Sequence, residues 1–379
     1  MVNHSFDNIT RQTLQQLSAS VQGLDAQAME QACKRQSELA KPPGSLGRLE
    51  ELSIQLAGIT GKVCNTPTQK TLLVFCADNG VVLEGVSSCP ASVTAAQTVN
   101  LARGKTGAAV LARQFGCRLR VFDVGVAATI TEPGVTAAKV AFGTKNIAEG
   151  PAMSEAETLQ AVFVGVEAVR EAVKEGAQVI GVGEMGIGNT TTSAAVLASL
   201  TGNSVRAVTG KGAGLTQAAY EHKCAVIERA IAINCVSKDD ALCVLAALGG
   251  LDIAAMAGAF LAAAKYRVPV VIDGFISAVA ALCAYRLCPL AREFMIASHA
   301  SAEIGYQIAI KELGLQPLLQ LDMRLGEGSG CPPAMMLLEA ACAVMNNMAT
   351  FEQAEIDDGY LKEIRKTDAF TVETERSQR

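Results

Sequence analysis

The chain has 379 residues, of which 50% are hydrophobic and 18% charged, with a formal net charge of -5. That length suits one large domain plus a smaller one, or two domains, and the apolar share supplies a sizeable core. A slightly acidic chain with few aromatics and no basic stripe argues against a nucleic-acid partner.

The first ten residues, Met1 to Thr10, are polar and carry no basic-plus-apolar leader. Residues 8 to 60 read as helices, because Leu14, Leu17, Val21 and Leu24, and later Leu46, Leu49, Leu52 and Leu56, recur at helical spacing. Between the two sets lies KPPGSLGR, Lys41 to Arg48, a short rigid break that mixes a cation, Lys41, with two prolines and glycines before Arg48. From residue 71 the pattern changes to short apolar runs, each followed by a helical segment. The runs are 71–77, 119–122, 178–182, 268–272, 294–297 and 317–321. Strands alternating with helices imply a parallel α/β sheet of about six strands wound by crossovers. One crossover helix has a readable start, since Ser154 and Glu157 fit a capping box. The longest apolar stretch, Ala241 to Ala264, is rich in Ala and Gly and contains Asp252, so it reads as a buried helix and not a membrane span.

Twelve cysteines without a Cys-x-x-Cys pair read as reduced thiols, and three scattered histidines offer zinc no ligand set. Both point to the cytoplasm. A last helical pattern runs from about Pro333 to Met348, and the polar stretch from Asp357 to Arg379 predicts a mobile tail.

The ends of the apolar runs line up chemically. Asp78, Asp123, Glu184, Asp273, Ser298 with His299, and Asp322 with Glu327 all fall at or just past a carboxyl end. In open parallel sheets that edge is where ligands bind. An isolated acid there is usually an N-cap, but polar groups at six strand ends are better explained by a shared cleft. Within the stretch DMRLGEGSG, Asp322 to Gly330, one carboxylate, Glu327, stands between two glycines, which let a ligand approach the main chain.

A second stretch, QVIGVGEMGIGNTTT from Gln178 to Thr192, runs from a strand through glycines into a Thr-rich helix start. Backbone N–H groups at a helix N-terminus with hydroxyls beside them form an anion site. Residues 181 to 186 also fit Gly-x-Gly-x-x-Gly, but no Asp or Glu occurs between Glu184 and Glu221 to hold a dinucleotide ribose. The stretch TGKGAG, Thr209 to Gly214, puts glycine after Lys211 where a P-loop needs Ser or Thr for magnesium. Lys211 still places a charge near a phosphate. Three readings stand: a transferase, a dinucleotide-dependent oxidoreductase weakened by the missing ribose acid, and a non-catalytic nucleotide sensor, which would need no carboxylate at 327.

Seven segments, taken together and in order, resemble the nicotinate-nucleotide–dimethylbenzimidazole phosphoribosyltransferase family of the cobalamin lower-ligand pathway. They are Lys41 to Gly47, Ala77 to Val81, Glu184 to Thr192, Leu248 to Ile253, Asp273 to Ile276, Ser298 to Glu303 and Leu321 to Gly330. The resemblance implies transfer of phosphoribose from nicotinate mononucleotide to 5,6-dimethylbenzimidazole with inversion, giving α-ribazole 5′-phosphate and nicotinate. It implies a parallel α/β domain over 63–332, a small helical domain from 1–62 and 333–379, and a homodimer. It places the general base on Glu327, with Glu184 in support. Gly186, Gly188, Asn189, Thr190, Thr191, Lys211, Ser301 and Glu303 would hold the nucleotide, and Gln97, Met323 and Leu325 would line the base pocket. Asn79 departs from the family pattern, which has His there in many members.

That chemistry suits these residues. The pyridinium of the nucleotide is already a good leaving group and needs no acid. The incoming benzimidazole must lose the proton on its other ring nitrogen, and a carboxylate in a dry pocket, its pKa raised by burial, can take it. No metal and no cofactor are expected.

Overall fold

The computed structural model describes residues 9–211 and 214–361. Residues 362–379 of the expected tail lie outside that range, as do residues 1–8 and, beside Lys211, Gly212 and Ala213. Six strands form one sheet: β1 (Lys70–Ala77), β2 (Cys117–Gly125), β3 (Val135–Ala137), β4 (Val179–Met185), β5 (Val270–Ile272) and β6 (Met295–Ala297). The order is β3-β2-β1-β4-β5-β6 and every pairing is parallel. All eight residues of β1 are buried, as a central strand covered on both faces requires. The strand order reverses direction between β1 and β4, so a crevice opens beyond their carboxyl ends.

Two expectations about the strands need correction. Residues 317–321 do not form a strand. Leu319 makes a lone parallel bridge to His299, Pro317 has no N–H to give, and 317–319 are only half buried. The sixth strand is instead Val135–Ala137, a short edge partner of β2 whose exposed sequence carries no buried-strand pattern.

The helices are α1 (Arg11–Ala19), α2 (Ala26–Glu38), α3 (Arg48–Thr60), α4 (Ser92–Ala102), α5 (Gly107–Gln114), α6 (Glu155–Lys174) and α7 (Asn189–Thr201). They continue with α8 (Val205–Val208), α9 (Gln217–Asn234), α10 (Ala241–Leu248), α11 (Leu251–Lys265), α12 (Phe275–Leu287), α13 (Ile304–Leu313) and α14 (Cys331–Asn347). The capping box opens α6: Ser154 Oγ accepts from Glu157 N, and the Glu157 carboxylate accepts from Ser154 N at 2.7 Å. The apolar stretch from Ala241 is two helices and not one. Gly249 and Gly250 break it, and a Cβ at Gly250 would lie 2.5 Å from Asn79 Oδ1. That break puts Asp252 in the first turn of α11, at the carboxyl edge of the sheet. Gly165 on α6 and Gly258 on α11 let these helices cross in backbone contact, since a Cβ at either would overlap the other helix's carbonyls.

The chain divides into two compact units, Met1–Gly23 with Gln69–Met335, and Leu24–Thr68 with Met336–Arg379. The N-terminal boundary differs from the expected one, because α1 belongs with the sheet. It packs on α11, and Arg11 pairs with Glu155 and Asp240, both at 2.8 Å. The second unit is helical, with α2 and α3 around Ala32, Ala57 and Met345. Its KPPGSLGR segment is braced from within: Lys41 Nζ meets Glu50 Oε1 at 2.8 Å, and the same oxygen accepts from Leu46 N. At the start of the expected tail, Gly359–Leu361 forms a 3₁₀ turn that buries Leu361.

Candidate active site

The catalytic-loop candidate lies directly on β4. Alternation along a strand puts Gly181 and Gly183 on one face. A Cβ at 181 would sit 2.7 Å from Cys331 Cβ, and one at 183 would sit 2.5 Å from Gly328 N and 2.6 Å from the Glu327 carbonyl carbon. Only glycines leave room for the loop backbone there. In the loop, Gly326, Glu327 and Gly328 have φ of 83°, 62° and 82°. The loop turns several of its N–H groups toward carboxylates and so makes a nest of amide donors. Glu327 N donates to Glu184 Oε1 at 3.4 Å, Gly328 N to Asp273 Oδ2 at 3.0 Å, and Gly330 N to Asp273 Oδ1 at 2.7 Å. Carboxylates from the ends of β4 and β5 thus hold three amides of the loop.

The Glu327 side chain is 3% exposed and reaches the first turn of α5. Its Oε2 accepts the Ala108 N–H at 3.2 Å, while the N-cap Thr106 takes the Ala109 N–H. A helix N-terminus favours an anion. That is the one hydrogen bond of the carboxylate seen among the described residues. A left-handed glutamate is uncommon, and such strain collects at functional sites.

A cavity of about 470 Å³ opens in front of this loop. Among the expected residues, Glu184, Gly186, Gly188, Asn189, Thr190, Lys211, Ser301, Glu303 and Leu325 line it. Gly188 is the left-handed N-cap of α7, with φ of 94°. Ile187 N is taken by Thr94 Oγ1, and the amides of Asn189, Thr191 and Thr192 turn back onto carbonyls of their own loop. The amides of Gly188 and Thr190 have no protein acceptor among the described residues and remain for a ligand.

The other expected residues are not in the lining, and Glu327 is among them: the wall ends at Gly326, and Glu327 turns away to α5. Thr191 is fully buried and its hydroxyl is unpartnered in the core behind the loop, so it does not line the cavity. Met323 is half buried and its carbonyl accepts from Ala302 N. Gln97 lies on α4 one turn past Thr94, and its amide oxygen accepts from Asn100. Neither lines the cavity. Leu325 does meet Glu327 at α5, since a Cβ on Gly107 would be 2.5 Å from Leu325 Cδ2 and 3.9 Å from Glu327 Oε2.

Some of the strand-end acids are structural. Asp78 accepts from Ala127 N at 2.8 Å, and Asp123 from Val126 N and Lys139 Nζ. Asp322 is exposed, whereas Glu184 and Asp273 are buried, and Glu184 shares a buried group with Asp252 of α11. Asn189 Nδ2 donates both to Glu184 Oε2 and, at 2.9 Å, to Asp252 Oδ2. Asn79 accepts from Thr192 Oγ1, which gives this departure from the family pattern a structural place. Burial, and then the charge of Asp252, pushes Glu184 up to about 8. Burial raises Asp273 to about 7 and Asp252 to about 6.

These shifts have a sign. The folded protein keeps protons that the unfolded chain releases above about pH 4. Stability from these groups is therefore greatest below about pH 4 and is lost progressively as pH rises, until the highest folded value, about 8, is passed. The melting temperature of the ligand-free protein should fall between pH 6 and pH 8.5, and Glu184→Gln should flatten that slope. An equal slope in the variant would show that Glu184 does not carry the proton.

Two cations in the cavity escaped the sequence reading. Lys223 on α9 is 2% exposed and donates to Thr190 Oγ1 at 2.9 Å, and burial lowers its pKa to about 8. A signal existed: Lys223 stands at helical spacing from the buried Val226, Ile227 and Ala230, which puts a charge on the inner face. Arg324, in the loop itself, also lines the cavity. Its neighbours in sequence drew attention to the acid only.

A family model described as a phosphoribosyltransferase matches residues 21–356. A nicotinate-nucleotide–dimethylbenzimidazole phosphoribosyltransferase of Clostridium perfringens is 49% identical over 359 residues, which cover 95% of this chain and 99% of the relative. An enzyme of the same name from Clostridium acetobutylicum is 48% identical over 91% of this chain and 98% of its own length. The crystal structure of CobT from Thermus thermophilus superposes with a TM-score of 0.85 at 39% identity, over 88% of this chain and 100% of that one.

Proposed function

Because this chain belongs to the nicotinate-nucleotide–dimethylbenzimidazole phosphoribosyltransferase family, we propose that Glu327 is the general base of its phosphoribosyl transfer and that the transfer inverts the anomeric centre. The enzyme moves phosphoribose from nicotinate mononucleotide to dimethylbenzimidazole in cobalamin biosynthesis. The observation that carries the mechanistic reading is the Glu327 carboxylate, buried against the start of α5 with Oε2 held by Ala108, directly after Leu325 and Gly326 of the cavity lining.

The 5′-phosphate goes to the α7 N-terminus. There the Gly188 and Thr190 amides, Lys223 and Lys211 meet its charge. Leu325 and Glu327 meet the benzimidazole at α5. The bare ring nitrogen attacks C1′ opposite the pyridine, and the C1′–N bond to nicotinate breaks, its electron pair neutralising the pyridinium. The Glu327 carboxylate takes the proton from the other ring nitrogen as positive charge builds there. One displacement turns a β-linked substrate into an α-linked product. Such a base contributes about 10²–10⁴-fold, and positioning supplies the rest.

The test is an incubation of the protein with nicotinate mononucleotide and dimethylbenzimidazole, followed by NMR of the product. Nicotinate release with an α-anomeric linkage is expected, and a β-linked product overturns the inversion. Since lysines and amides meet the phosphate charge, the same assay should keep full activity in excess chelator. A strict need for added magnesium would count against this placement.

The cytoplasm is the proposed compartment, because all twelve cysteines are free thiols, as a reducing environment keeps them. No helix among the described residues is long and apolar enough to cross a membrane. The homodimer rests on the family resemblance, and a monomer mass by light scattering would contradict it.

A further inference from the structure

We propose that Asp273 is a positioning residue for the reaction: its carboxylate fills the backbone nest of the GEGSG loop and thereby aims Glu327. The inference rests on Glu327 being the base. Oδ2 accepts from Gly328 N at 3.0 Å and Oδ1 from Gly330 N at 2.7 Å, so one side chain grips the backbone just after the glutamate at two points. The other bonds on that side are backbone bonds within the loop and into α14, among them Cys331 N on the Gly328 carbonyl at 3.1 Å. Its own turn closes with Ser329 N on the Gly326 carbonyl, and Ser329 Oγ, fully buried, has no partner.

Asp273 is itself immobile. It follows β5 and is 2% exposed; its N–H donates to Ser277 Oγ and its carbonyl accepts from Ser298 Oγ, both at 3.2 Å. His299 stands 3.9 Å from Oδ1, beyond hydrogen-bond reach, and bonds to Ser298 instead. Both acceptor oxygens are thus committed to the loop. A group on a strand end, with its backbone tied at both sides, transmits the rigidity of the sheet to the residues it holds. The three left-handed residues, two of them glycines, have no such rigidity of their own. An amide at 273 keeps the shape but offers one acceptor and one donor where the loop needs two acceptors.

The experiment compares Asp273→Asn, Asp273→Ala and Glu327→Gln in steady-state kinetics, with nicotinate mononucleotide binding measured separately by calorimetry. Asp273→Asn should lower kcat by about 10- to 100-fold, the scale of a base misplaced by up to an ångström, with nucleotide affinity within about twofold of the parent. Asp273 lines the cavity, so added formate should reach the nest emptied by Asp273→Ala and restore part of its rate, while leaving the Asn variant unchanged. Unchanged kcat in the Asn variant, a loss of nucleotide affinity as large as the loss of kcat, an Asn variant that does not fold, or no formate rescue of the Ala variant overturns the assignment. Normal turnover by Glu327→Gln would instead sink the base assignment beneath it, so the two failures are distinct.

Discussion

Glu327→Gln should lower kcat by about 10²-fold or more while the fold and the binding of nicotinate mononucleotide persist. The substitution changes little besides the proton. A glutamine has the same shape, tolerates the left-handed φ of 62° as well as glutamate does, and can still accept the Ala108 N–H through its amide oxygen. The nucleotide side, with Lys223, Thr190 and the α7 amides, is built from other elements and stays as it is. What is lost is a group able to take the ring proton. Steady-state rates together with calorimetric titration of the nucleotide check this, and near-normal turnover in a folded variant would remove Glu327 from the chemistry.

Gly183→Ala carries the second large effect, with no change to any polar group. The new methyl would lie 2.5 Å from Gly328 N and 2.6 Å from the Glu327 carbonyl carbon and oxygen. All three are backbone atoms, and Gly183 itself is held in β4 by its pairing with Val74 of β1, one residue past the β5 pairing of Val182. Neither side can turn a rotamer away, so the loop must lift off the strand. Lifting it by up to about 1 Å strains the grip of Asp273 and Glu184 and carries Glu327 away from its target, a misplacement that costs about 10²-fold in rate. The expected outcome is a folded protein, less stable by about 1–3 kcal/mol, that binds the nucleotide and turns over poorly. Parental kcat in Gly183→Ala would mean that contact with β4 does not place the loop.

Much of this site was legible in the chain. The acids at 184, 273 and 327 announce the cleft, because strand ends and glycine loops have local signatures. What needed the fold was partnership across distance. Nothing in the residues near Ala108 says that its amide will meet Glu327, since the two are 219 positions apart. Asp78 and Asp123 resembled Asp273 in sequence, yet the first two brace loops and the third grips the base loop. The strand pattern misled at 317–321 for a similar reason. Its apolar residues look like a buried run, but they lie half exposed beside β6, where one bridge is all the pairing available. The stretch from Ala241 to Ala264 reads as one helix because its apolar composition is continuous, whereas Gly250 packs against Asn79, a partner distant in the chain.

Proton removal by Glu327 is most directly tested by comparing dimethylbenzimidazole with its N-methylated counterpart, scored as kcat/KM in the parent enzyme and in Glu327→Gln. The methyl replaces the proton that Glu327 accepts and leaves the attacking nitrogen in place. The parent should prefer the free base by about 10²-fold or more, whereas the variant should lose most of that preference, having no base to benefit from the proton. A methyl group's fit in an apolar slot is worth only about 1–3 kcal/mol, so the comparison between the two enzymes, and not either preference alone, isolates the proton. Comparable rates for the two bases in the parent, or an equal preference in both enzymes, would contradict the mechanism.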